Sequence, residues 1–97
     1  MPYAVIFTSK LRPEAAGYDK MAEEMDQLTR QQPGFLGIRS VRSASGEGIT
    51  VCYWESLEAI AAWKANARHQ EAQRRGRGEW YESYELKICR IEREEAF

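Results

Sequence analysis

The chain predicts an α+β fold in the order β-α-β-β-α-β: one four-stranded antiparallel sheet with two helices on one face. Three observations predict it. Strand-length apolar runs lie at Tyr3–Thr8 and near the far end of the chain, and two intervening segments carry apolar residues at helical spacing. The middle strand-like runs are separated only by a polar four-residue turn. With 97 residues, the expectation is one domain, 1–97.

Tyr3-Ala-Val-Ile-Phe-Thr8 is apolar in both phases, as expected of a central strand covered on both sides. Pro13 offers a first-turn residue. Tyr18, Met21, Met25 and Leu28 then recur at helical spacing, predicting a helix over about residues 14–31 that Pro33-Gly34 ends. Phe35 to Ser43 and Gly48 to Glu55 read as a hairpin turning at Ala44-Ser45-Gly46-Glu47. Ser56 supplies an N-cap oxygen for a second helix beginning at Leu57, with Ile60, Ala61, Trp63 and Ala67 on its apolar stripe. Asn66 and His69 interrupt that stripe, so a kink or a second short helix is expected there.

Glu79 to about Arg93 reads as a final strand, with Trp80 and Tyr84 on one face and Tyr81 on the other. At about 3.3 Å per residue it would span about 50 Å, more than one small subunit covers. The whole is a ferredoxin-like arrangement in which the first strand lies between the third and the fourth. Cys52 and Cys89 are then kept apart, and free thiols are expected. The sheet face without helices would be left bare, which predicts a homodimer.

Composition narrows the function. Fourteen Lys and Arg against fifteen Asp and Glu leave a net charge of −1, and the two halves of the chain are equally balanced. That is the wrong field for a nucleic-acid binder or a polybasic membrane-surface protein. No apolar run reaches the length of a signal core or a membrane span, so a cytoplasmic protein is expected. One histidine and no Cys-x-x-Cys predict no metal site. Phosphate loops, nucleophile elbows and paired-carboxylate motifs are missing, which removes hydrolase and kinase readings.

Pro33-Gly-Phe-Leu-Gly37, Gly48-Ile-Thr50, Tyr53-Trp-Glu-Ser-Leu-Glu-Ala59, Ala62-Trp63 and Trp80-Tyr-Glu-Ser-Tyr84 together resemble the antibiotic biosynthesis monooxygenase family, along essentially the whole chain. The resemblance implies a dimeric α+β barrel with a pocket between helices and sheet in each subunit. Some members oxidise aromatic polyketides with dioxygen and no metal or flavin, so it implies a cofactor-independent monooxygenase of a small aromatic or quinone-type ligand. Other members degrade haem. That branch has an Asn on its first strand, a Trp in its second helix and a haem-ligating His further on. Trp63 matches, but strand one reads Phe7-Thr8-Ser9, and Gln73 stands where that His would be. Haem degradation therefore ranks second, and a non-catalytic ligand-binding or stress-response module is the other alternative.

His69 is the only side chain with an ordinary pKa near neutrality and is the candidate base. On an unbroken helix, six residues at 100° each place it about 120° from Trp63. Trp54 and Trp63 are candidate substrate-binding rings, and Asn66 could orient an oxygen function of the ligand. Arg74-Arg75-Gly-Arg77 is the only basic cluster and could receive an anion, although such a run is commonly a solvated helix end.

Overall fold

β1 (Tyr3–Leu11) takes the centre of the sheet because both of its phases can be buried. In the computed structural model, which describes residues 2–97, its neighbours are β3 (Glu47–Trp54) and β4 (Tyr81–Arg90), with β2 (Phe35–Arg42) outside β3. The order is β2-β3-β1-β4 and every pairing is antiparallel. Three helices complete the chain: α1 (Tyr18–Arg30), α2 (Leu57–Ala65) and α3 (Ala67–Arg75). A single π-helical turn, Gly76–Trp80, passes α3 into β4.

Register assigns the two sheet faces. Val5, Cys52 and Ile38 lie opposite one another across three strands, and Trp54 is two residues from Cys52, so all four share a face. That face carries the core. Cys52, Trp54 and Trp63 are buried at its centre, with Met25 and Leu28 of α1 and Ala59 and Ile60 of α2 packed around them. The helices therefore sit on one side, as expected. Ala4, Ile6, Val41, Ile49, Val51 and Tyr53 point to the other side, which no helix covers.

Cys52 stands opposite Val5 on one flank of β1 and Cys89 stands opposite Ala4 on the other, so they occupy different faces and both are free. Burial pushes the Cys52 thiol up to about 11. At the far end of the helix-bearing face, Arg42 reaches over Gly48 and donates to Ser9 Oγ (2.8 Å) and the Tyr18 hydroxyl (3.2 Å), joining β2, β1 and α1.

Three expectations are corrected. The first helix starts at Tyr18, not near residue 14. Gly17 has φ 84°, which a right-handed helix does not accept, and the Trp80 indole donates to the Ala16 carbonyl at 2.9 Å, holding residues before it as a loop. The last strand has ten residues rather than fourteen or fifteen, because residues 79–80 belong to the π turn and pairing stops at Arg90. It spans about 33 Å, so its length gives no ground for a second copy. That ground lies in the uncovered face. Finally, Tyr81 and Tyr84 share a face instead of opposing. The register shifts by one residue between Lys10 and Leu11, which leaves Glu82 as an extra residue and reverses the phase. Phe7 accordingly contacts both rings, at 5.4 and 5.3 Å.

Candidate functional site

The site begins at a break in a helix. α2 starts where Ser56 Oγ accepts from the Ala59 amide, and it carries Trp63 into the core with 8% of its surface exposed. It stops after Ala65 because Asn66 takes ψ 126°, outside the helical region. Asn66 then starts α3: its Oδ1 accepts from the amides of Arg68 (3.0 Å) and His69 (3.1 Å), satisfying two of the donors a helix start leaves free.

The break leaves the Trp63 carbonyl without the fourth-residue amide an intact helix would supply. Two other donors take it. The Asn66 amide reaches it at 3.1 Å, and His69 Nδ1 lies 2.9 Å away. A carbonyl only accepts, so Nδ1 carries the proton and Nε2 of the neutral ring keeps its lone pair. The imidazole lies over the Trp63 indole at 4.1 Å between centroids and 13° from parallel. Burial holds the His69 pKa below the ordinary 6.5, and the hydrogen bond to the Trp63 carbonyl opposes that only in part. The ring is thus neutral at pH 7.

The structure therefore brings Trp63 and His69 together, although a straight helix would have separated them. Trp54 joins Trp63 in the same cluster but is 1% exposed, its ring edge-on to Phe35 at 5.9 Å, with no free face for a ligand. Asn66 lines a groove of about 480 Å³ with Glu24, Leu28 and Arg68. His69 does not line that groove. A bidentate ion pair from Arg68 to Glu24 crosses it and ties α3 to α1.

A separate feature, an open apolar strip along β4, was hidden from sequence reasoning. Tyr84, Leu86 and Ile88 of β4 lie opposite Ser9, Phe7 and Val5, and so point to the helix-bearing face, yet they are 39%, 48% and 49% exposed. The helices cover the β2–β3 side and leave this strip open. The alternation of β4 carried the signal, but only its pairing with β1 tells which phase faces the helices. The basic cluster is largely spent: Arg74 pairs with Glu71, and Arg75 pairs with Glu79 while lying over the Trp80 ring.

Residues 2–75 match the family model for antibiotic biosynthesis monooxygenases. A Bacillus subtilis (strain 168) protein, YqjZ, is 47% identical over 95 residues, covering 98% of this chain and 83% of that one. Among solved structures, Rv0793 of Mycobacterium tuberculosis superposes with a TM-score of 0.86 at 18% identity, over 99% of this chain and 100% of that chain. SnoaB, a cofactor-independent oxygenase from Streptomyces nogalater, superposes with a TM-score of 0.80 at 12% identity, over 96% and 95% of the two chains. These two share the ferredoxin-like fold described above. Among the described residues, no helix is long and apolar enough to cross a membrane. The match over residues 2–75 and the 47% identity carry one conclusion: the chain belongs to the antibiotic biosynthesis monooxygenase family.

Proposed function

We propose that the protein is a cofactor-independent monooxygenase of a small phenolic or quinol-type compound, with His69 as the base. The observation that carries this reading is the Trp63–His69 pair: a neutral, half-buried imidazole with Nδ1 committed to a carbonyl and Nε2 free of any protein partner among the described residues. Membership of the family and the cofactor-independent oxygenase SnoaB on the same fold support it.

The chemistry needs little more. Nε2 takes the phenolic proton, and the resulting phenolate is electron-rich enough to react with dioxygen. A ring C–H ortho or para to the phenolate is replaced by C–O and the ring is left as the quinone; one oxygen atom enters the product and the other leaves as water. The substrate supplies all four electrons, so the balance closes without an external reductant. Tyr84, Leu86 and Ile88 offer an apolar floor for a flat molecule, and a second copy covering the other sheet face would make the working unit a homodimer.

Oxygen uptake with a panel of hydroquinones and polyketide phenols tests the reading. Wild type is expected to consume oxygen with at least one member, and His69→Ala to lower that rate about 10²–10⁴-fold, the usual weight of a general base. Equal rates, or no uptake with any compound, would remove the proposal. A bound compound recovered unaltered would favour a binding module, and a shifted Soret band on haem titration would favour haem chemistry.

A further inference from the structure

We infer that Asn66 is a positioning residue: by ending α2 and starting α3 it selects the tautomer of His69 and seats its imidazole on Trp63. The inference rests on the reading of His69 as the base and adds the device that prepares it.

One carbonyl, that of Trp63, sets the geometry. If residue 66 were helical, the Ala67 amide would donate to the Trp63 oxygen, and His69 would be carried about 120° round the helix from Trp63. Lys64, Ala65, Ala67 and Arg68 all favour a continuous helix. Only Asn66 opposes it. Its side-chain oxygen binds the Arg68 and His69 amides, an arrangement open to a residue outside the helix and closed to one within it. With the helix interrupted, the Trp63 oxygen is free to accept from His69 Nδ1 at 2.9 Å, and the imidazole settles on the indole. The Asn66 Oδ1 is thus engaged in capping, and the residue lines the groove with Glu24 and Arg68, which His69 does not line.

The titratable and charged groups near His69 leave this carbonyl as its polar partner. Arg68 is bound to Glu24 of α1, and Glu71 to Arg74. Burial, not a neighbouring charge, is what depresses the His69 pKa, opposed by the Trp63 carbonyl.

His69 is the only histidine, so in tag-free, ¹⁵N-labelled full-length protein one imidazole gives one spin system. Wild type is expected to show the Nδ1–H tautomer and to titrate below 6.5. Asn66→Ser, which keeps a capping oxygen without a charge, should preserve both. Asn66→Ala should fuse the helices, move the ring toward the tautomer mixture of an unconstrained imidazole and raise its apparent pKa toward 6.5. An Nε2–H tautomer in wild type overturns the inference, and so does an Asn66→Ala protein with wild-type tautomer and pKa. Should Asn66→Ala not fold, Asn66→Gln, a helix former that caps poorly, replaces it on the same criteria. Since the readout is protonation and not turnover, failure here is separate from failure of the oxygenase reading, which oxygen uptake decides.

Discussion

The imidazole of His69 lies flat on the indole of Trp63, 4.1 Å away, because the helix that joins them is broken between them at Asn66. The contact has an energetic signature in pH. The folded-state pKa is below 6.5, so between that value and 6.5 the unfolded chain binds a proton that the folded protein does not. The stabilising contribution is therefore complete above about pH 6.5 and is lost as pH falls through the folded pKa. Denaturant titrations across this interval should show wild-type stability declining on acidification, and His69→Gln should flatten that segment of the curve. An unchanged slope in the variant would place the titration elsewhere.

Gly34 fastens the start of β2 to α2. Its φ is 85°, its carbonyl accepts from the Glu55 amide at 2.8 Å, and a Cβ there would meet the Ala59 methyl at 2.6 Å. Gly34→Ala adds about 1–2 kcal/mol of backbone strain to about 1–3 kcal/mol of overpacking. For a domain of this size each kcal/mol shifts Tm by about 4–8 °C, so calorimetry should find the variant at least about 8 °C lower. A drop of only a degree or two would mean that α2 yields easily.

The sheet face without helices makes a separate prediction. Val41 and Ile49 are paired there across β2 and β3 and are 68% and 40% exposed. If two copies bury this face, Ile49→Glu places like charges in the contact, while an exposed strand position costs the subunit itself only about 0.5 kcal/mol. Sedimentation at micromolar concentration should give twice the 11.2 kDa chain mass for wild type and the single chain mass for the variant, with unchanged far-UV circular dichroism. A wild type that sediments as a single chain would sink the homodimer and its barrel.

Several elements were legible in the chain to within a residue or two, because their signals are local. The Ser43-to-Gly48 turn is polar, Ser56 caps α2, and Asn66 interrupts an apolar stripe. The errors arose where a local pattern met a distant partner. The first helix loses its expected first turn because Gly17 is left-handed and Trp80, 64 residues away, takes the Ala16 carbonyl. Tyr81 exchanges faces because β4 takes one residue more than β1 between Tyr81 and Ser83, a count that exists only between paired strands.

The candidate site divides in the same way. Trp54, Trp63 and His69 were visible as residue types suited to an aromatic ligand, but type does not say which ring is walled in. Packing against Phe35 buries Trp54, and the break at Asn66 turns His69 onto Trp63.

The order βαββαβ, the balanced charge and the single near-neutral titratable side chain follow from residue identity and spacing, since periodicity and capping act over one or two turns of chain. Tertiary structure alone decided the open strip along β4 and the phase of Tyr81. Each depends on a helix or a strand supplied by another part of the fold, and the free energy of such a contact does not exist until the chain has closed around it.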